Sequence, residues 1–380
     1  MPRSEAVVDL AAIRGNVARL RSSTSAQVMA VVKADGYGHG QLESARAALA
    51  GGASWLGVAL LAEALALRAA GVTEPVLAWL WTPQESVALG QAIAHGVDIG
   101  ISSPAALHAV QVAAQAVGTA ARIHLKIDTG LSRNGVDVGD WPAVIAETAR
   151  AQAAGVIRAV GVWSHFACAD EPGHPSIDRQ LEHFRAALEV AARAGVHPEL
   201  RHLANSAATL TRPDTHFDLV RSGIAIYGLS PIPALGDFGL WPAMTLRAEL
   251  ANVKTVPGGV GVSYGHSYVT KSRTTLALVA LGYADGVPRA AGNIAPVLIN
   301  GRRFTISGRV SMDQFVVDVG DIAAQAGDSA VLFGPGRDGE PLAQDWADVL
   351  GTLHYEIVTR IGARVPRRYV GAQAQTGAAS

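Results

Sequence analysis

The chain has 380 residues, 49% of them hydrophobic and 17% charged, with a formal net charge of −1. That length suits two domains, each able to bury its own core, and the near-neutral charge leaves no basic footprint for nucleic acid. One cysteine, Cys168, excludes an internal disulfide framework and suits a reducing compartment.

The start, Met1-Pro-Arg-Ser-Glu-Ala-Val, lacks the apolar region of a secretory signal. The longest uncharged apolar stretch, 47–62, falls short of the ~20 residues a membrane span needs, so a soluble cytoplasmic protein is expected. From residue 28 to residue 228, short apolar runs alternate with alanine-rich helical stretches. The predicted strands are 28–32, 55–59, 76–80, 97–101, 122–127, 159–163, 200–203 and 219–226. Between them the pattern predicts helices over 41–50, 60–70, 84–95, 104–117, 141–154 and 176–194, several closing in glycine. Eight such repeats predict a parallel sheet closed into a (β/α)8 TIM-like barrel, with a doubly wound open sheet as the alternative. After Pro231-Ile-Pro233 the texture changes to strands at 245–256, 274–281, 296–299, 303–307, 314–319 and 329–333, split by Gly, Asp and Pro turns. We therefore expect an α/β barrel domain over 1–232 and a mainly-β domain over 233–370, with the N-terminal strand left open to join the latter. Residues 371–380 read as a frayed tail.

Only four of the 31 basic side chains are lysines. The first, Lys33, ends the run Val28-Met-Ala-Val-Val and opens into Gly36-Tyr37-Gly-His-Gly40. A lone lysine at the end of a buried strand is a natural Schiff-base nucleophile, because burial disfavours its charged form. The plain alternative is a solvated charge. The other predicted strand ends carry Lys126-Ile-Asp128-Thr-Gly-Leu-Ser-Arg133, Ser164-His165, His202-Leu-Ala-Asn205-Ser206 and Arg221-Ser-Gly223-Ile224-Ala-Ile-Tyr227. In a barrel these groups share one mouth. Asn205-Ser206 reads as a helix N-cap pair and Gly223-Ile224 as bare amides, both suited to phosphate. A Schiff-base lysine beside a phosphate site points to pyridoxal 5'-phosphate.

These segments resemble the bacterial alanine racemases. So do Val262-Ser-Tyr264-Gly-His-Ser-Tyr268, Gly282-Tyr283-Ala-Asp-Gly286 and Gly308-Arg309-Val-Ser-Met312-Asp313-Gln314, in the family's order over nearly the whole chain. The resemblance implies a barrel plus β domain and a pyridoxal phosphate-dependent amino-acid racemase interconverting L- and D-alanine. It implies that Lys33 carries the cofactor and serves the D-enantiomer, while Tyr264 from the partner subunit of a homodimer serves the L-enantiomer. Arg221 is implied at the pyridine nitrogen, with His165 beside it biasing Tyr264 toward phenolate. Tyr37, Ser206, Gly223, Ile224 and Tyr355 match the phosphate-binding positions. Arg133 and Met312 match the substrate-carboxylate site. Lys126 matches a lysine carried as a carbamate in the family, against which a Lys126–Asp128 ion pair is the plain alternative. D-Alanine supply for peptidoglycan follows from the same resemblance. Ser311, Trp163 and Leu131 depart from the family pattern and bear on pocket shape.

Alternatives are a serine or broad-specificity racemase, a barrel-type decarboxylase and a cofactor-carrier protein. The decarboxylases place a cysteine in the β domain, whereas Cys168 lies in the barrel region, and the carriers lack that domain. Gly334-Pro-Gly336-Arg-Asp-Gly339 mimics a dinucleotide fingerprint but sits outside any βαβ unit, so it reads as a turn. The 12 histidines show no zinc-ligand spacing, and no metal is expected.

Overall fold

Eight short strands run parallel around one core: β2 (Gln27–Val31), β3 (Trp55–Val58), β4 (Val76–Ala78), β5 (Asp98–Ile101), β6 (Ala121–Lys126), β7 (Ile157–Trp163), β8 (Leu200–His202) and β9 (Leu219–Ser222). The computed structural model describes residues 2–371, so the expected tail, apart from Gly371, lies outside the described residues. The ladder runs β8-β7-β6-β5-β4-β3-β2-β9. Single backbone bonds, Asp218 N–H to Arg201 O (3.1 Å) and Arg221 N–H to Ala204 O (3.0 Å), bring β9 beside β8. The result is a nearly closed barrel, not a doubly wound open sheet.

The six predicted helices form at Gln41–Ala50, Leu61–Ala69, Ser86–Ala94, Pro104–Val117, Trp141–Ala153 and Ser176–Arg193. The strand expected over 219–226 stops at Ser222, because Gly223 departs from extended geometry (φ −104°, ψ −93°) and Ile224–Tyr227 coils into a 3-10 turn. Small residues inside the barrel make room for large ones. A Cβ on Gly161 would lie 2.2 Å from His124 Nδ1, and one on Gly57 would lie 2.8 Å from Met29 Sδ.

The second unit is built on β10 (Met244–Val256), with the hairpin β11 (Gly261–Val262) and β12 (Tyr268–Val269) beyond it. Further strands are β13 (Thr274–Val279), β14 (Pro296–Ile299), β15 (Arg302–Thr305), β16 (Phe315–Gly320), β17 (Ser329–Phe333) and β18 (Arg367–Val370). A register shift between Leu250 and Asn252 lets β10 pair with β17 before it and with β13 after it. The first strand, β1 (Ser4–Asp9), lies between β10 and β18, antiparallel to one and parallel to the other. The barrel is thus inserted between two adjacent strands of the second sheet. Its entry and exit are tied by Asp9 N–H donating to Ala243 O (2.8 Å).

The glycine-rich 334–339 segment is a turn in which Glu340 accepts from Gly336 N–H and Asp338 N–H, both at 2.8 Å. Among the described residues no helix is long and apolar enough to cross a membrane.

Candidate active site

Lys33 stands just beyond β2 and begins a turn of unusual hand. Ala34 (φ 53°), Asp35 (φ 51°), Gly36 (φ 60°) and Tyr37 (φ 53°) are all left-handed. For non-glycine residues this conformation costs roughly 1–2 kcal/mol each, so something must hold the turn. Gly36 N–H donates to Val32 O (3.1 Å) and Gly40 N–H to Asp35 O (2.8 Å). Glu63 Oε1 accepts from Ala34 N–H (2.7 Å), its other oxygen accepts from Ala59 and Leu60 N–H (2.9 and 3.0 Å), and Asp35 Oδ1 accepts from Gln41 N–H (2.9 Å). Neither acid stands out in the sequence. Glu63 is the third residue of its helix, but the N-cap position holds Leu60, so the usual Ser/Thr capping signature is missing.

The half-buried Lys33 amine is pushed below its ordinary pKa by burial and then by Arg133, with Glu63 opposing. Lys126, at the end of β6, is buried, with Nζ 4.7 Å from the Trp163 ring centre. Burial, Arg221 and Arg133 bring its amine down to about 8, against a smaller pull from Asp128. The Lys126–Asp128 ion pair is not among the salt bridges of the described residues. Asp128 Oδ1 instead accepts from Gly130, Leu131 and Ser132 N–H (2.9, 3.1 and 3.1 Å), shaping the loop that carries the exposed Arg133.

Arg221 is 5% exposed. Its Nη2 donates to Ser164 O (2.7 Å), Leu203 O (3.2 Å) and His165 Nδ1 (3.3 Å), and its Nη1 donates to His202 Nδ1 (3.2 Å). A guanidinium can only donate, so His165 Nδ1 is an acceptor and its proton sits on Nε2. Burial lowers Arg221 to about 9, which leaves it charged at neutral pH. Burial and then Arg221, Arg133, Lys126 and Lys33 push His165 well below the usual imidazole range. These mutual effects mark one electropositive mouth formed by Lys33, Lys126, Arg133, His165 and Arg221.

Beside it lies a neutral cradle. Asn205 caps the helix Ser206–Thr211 by accepting from Ala208 N–H (3.1 Å), and Ser206 Oγ accepts from Gly223 N–H (2.9 Å). A Cβ on Gly223 would lie 2.4 Å from Tyr37 Oη, so only glycine admits the phenol there. The Tyr37 ring packs against Tyr227 (5.0 Å between centres) and Tyr355 (6.4 Å). Burial raises the Tyr37 and Tyr355 pKa values, so both phenols stay neutral donors. Tyr37, Ser206, Gly223, Ile224 and Tyr355 therefore converge. The helix His354–Thr359 delivers Tyr355 from the second unit by docking on the Lys33 turn, where a Cβ on Gly38 would lie 2.3 Å from Val358 O.

Two sequence-predicted residues stay apart. Tyr264 and Met312 sit in the β domain, 71% and 53% exposed. Their segments are linked by Ser263 Oγ donating to Arg309 O (2.6 Å). No hydrogen bond, ion pair or ring contact among the described residues joins either to the barrel mouth. No cluster of three or more metal-ligating side chains occurs among the described residues.

The family models for the alanine racemase N-terminal domain and C-terminal domain match residues 8–231 and 243–369. An alanine racemase of Thermobifida fusca is 61% identical over 370 residues, covering 97% of this chain and 98% of that one. One from Salinispora arenicola is 58% identical over 372 residues, covering 98% and 99%. The crystal structure of alanine racemase from D-cycloserine-producing Streptomyces lavendulae superposes with a TM-score of 0.96 at 55% identity, covering 98% of each chain. That from Bacillus anthracis with bound L-Ala-P gives 0.89 at 35% identity, covering 98% and 96%.

Proposed function

The chain belongs to the alanine racemase family and is an isomerase of alanine, and from that premise we propose that it works with pyridoxal phosphate held covalently on Lys33 and with two bases on opposite faces of the substrate. The observation that carries this reading is the pairing of a depressed Lys33 amine with the neutral Tyr37–Ser206–Gly223 cradle inside a cationic mouth. The residues fit the group. The Ile224 backbone amide and the hydroxyls of Tyr37, Ser206 and Tyr355 suit a phosphate, as would the Gly223 amide on turning from Ser206 Oγ to the ligand, and Arg221 can donate to a pyridine nitrogen that stays unprotonated.

When bound, pyridoxal phosphate supplies an electron sink next to the substrate Cα. Lys33 Nζ, lowered by burial and by Arg133, takes or returns the Cα proton on the D side. The partner subunit's Tyr264 does the same on the L side. Its phenolate is favoured by the Nε2–H of His165, whose Nδ1 is occupied by Arg221. Arg133, with the backbone amide of Met312 from the second subunit, holds the substrate carboxylate. Lys126, unprotonated in part near neutral pH, can take up CO2 as a carbamate; the anion so formed would orient Arg133. We further propose a cytoplasmic homodimer that supplies D-alanine for peptidoglycan. The high exposure of Tyr264 supports the shared site.

Borohydride reduction of the loaded protein followed by peptide mass spectrometry is expected to place the pyridoxyl group on Lys33. Finding it on Lys126 overturns the assignment. Incubation with single L-amino acids and chiral chromatography is expected to yield D-alanine in preference to D-serine.

A further inference from the structure

A line of polar side chains runs through the barrel core behind the mouth, and the proposed reaction uses only its end. Asp98, the first residue of β5, is 1% exposed and accepts from Arg122 Nε (2.7 Å) and Nη2 (3.2 Å). His124 Nε2 lies 3.0 Å from Asp98 Oδ2, and His124 Nδ1 lies 2.9 Å from His202 Nε2. His202 Nδ1 meets Arg221 Nη1 at 3.2 Å.

Donor counting fixes the direction of every bond. Arginine only donates, so His202 Nδ1 accepts and its proton is on Nε2. That proton is donated to His124 Nδ1, which leaves the His124 proton on Nε2, donated to Asp98. The line closes only with Asp98 ionised and both rings neutral. A second proton on either ring would set two N–H groups against each other. Burial resists ionisation of Asp98, but hydrogen bonds from His124 and Arg122 hold its carboxyl below the usual range. Burial and then the Arg221 charge push His202 far below the imidazole range. The rings are also fixed in space. Gly161 leaves the room His124 needs, Trp55 meets His124 edge-on at 5.4 Å, and Trp163 stacks on His202 at 5.5 Å with 3° between planes.

Among the described residues no carboxylate forms an ion pair with Arg221, so the nearest counter-charge along this line is Asp98, three hydrogen bonds away. We propose that Asp98 is a positioning residue for Arg221: through His124 and His202 it fixes the imidazole tautomers and anchors the Nη1 arm of the guanidinium in the core, while Ser164 O and Leu203 O hold the Nη2 arm. The consequence for the cofactor rests on the function proposed above; the hydrogen-bond line does not.

In Asp98→Asn an amide oxygen at the Oδ1 position keeps the bond from Arg122 Nε, while the amide NH2 at the Oδ2 position faces His124 Nε2 and gives up the bond from Arg122 Nη2. Both ring protons are then reversed and His202 Nδ1–H opposes Arg221. The test is long-range 1H–15N correlation of the full chain labelled at histidine, without cofactor, together with fluorescence titration by pyridoxal phosphate. In the native chain His124 and His202 are expected as neutral Nε2–H tautomers; an Nδ1–H or doubly protonated ring overturns the proposal. Asp98→Asn is expected to lose the pure Nε2–H state of His202 and to raise the pyridoxal phosphate dissociation constant about tenfold, the equivalent of one net hydrogen bond to a charged group. Arg122→Gln is expected to keep the native tautomers. Native tautomers and native affinity in Asp98→Asn overturn the positioning role. If that variant does not fold, the native tautomers decide alone. If the native chain shows the expected tautomers yet binds no pyridoxal phosphate, the cofactor reading fails and the line stands.

Discussion

On the proposed mechanism, Tyr264 is the residue whose role depends most on something outside its own chain. Phenylalanine at this position keeps the ring and removes its only exchangeable proton. Tyr264→Phe is expected to slow solvent deuterium exchange at Cα of L-alanine by about 10²–10⁴-fold, while D-alanine still exchanges through Lys33. Equal residual exchange from both enantiomers would reduce Tyr264 to a surface aromatic. Buried histidines set the acid limit. Burial holds His39 and His354 down to about 4, against backbone carbonyls that pull the other way. Unfolded histidine titrates near 6.5, so between about 6.5 and 4 the unfolded chain binds more protons and stability falls as pH drops through that window. A melting temperature that stays flat or rises on acidification across that range would contradict this. Lys33 was legible in the sequence because a charge at the end of an apolar run is conspicuous. Asp98 and Glu63 were not, since their partners His124 and Ala34 lie 26 and 29 residues away and no local pattern announces them.

Elements with a strong internal period were legible almost to the residue: the predicted helices over 41–50 and 104–117 form with those bounds. Short strands buried on both faces were equally clear as apolar runs between turns. What escaped was tertiary in origin. The helix Leu10–Ser22 has Arg14, Arg19 and Arg21 along it, which dilute its apolar stripe, and β18, Arg-Arg-Tyr-Val, has no apolar run to mark it as a strand before β1 pairs with it. The left-handed Lys33 turn was invisible because three of its four residues are not glycine. Its dependence on Glu63 makes a sharp prediction. Glu63→Ala removes the acceptor of three backbone amides and is expected to lower unfolding free energy by about 2 kcal/mol and to weaken retention of pyridoxal phosphate. Glu63→Gln keeps one good acceptor and is expected to fall between. Denaturant midpoints and cofactor titration measure both; an unchanged Glu63→Ala would mean the turn stands on its own backbone bonds.

For the whole molecule, the two proposed bases lie in different units of one chain, and the exposed Tyr264 is the reason to expect a shared site. Mixing inactive Lys33→Ala and Tyr264→Phe chains is expected to restore partial activity, because a hybrid dimer regains one site with both bases. Verified subunit exchange without activity would assign both bases to a single chain. Such a shared site demands that each chain present Tyr264 at a constant offset from its own barrel. The two crossings at Asp9 and Ala243, hydrogen-bonded to each other at 2.8 Å, supply a double tether. A single linker could swivel about its axis; two joined side by side resist torsion and permit only a shallow bend. Cutting one crossing by circular permutation at residue 9 would leave that offset to the other crossing and to the helix His354–Thr359 docked on the Lys33 turn, so the ruler between barrel and partner is braced at more than one place along its length.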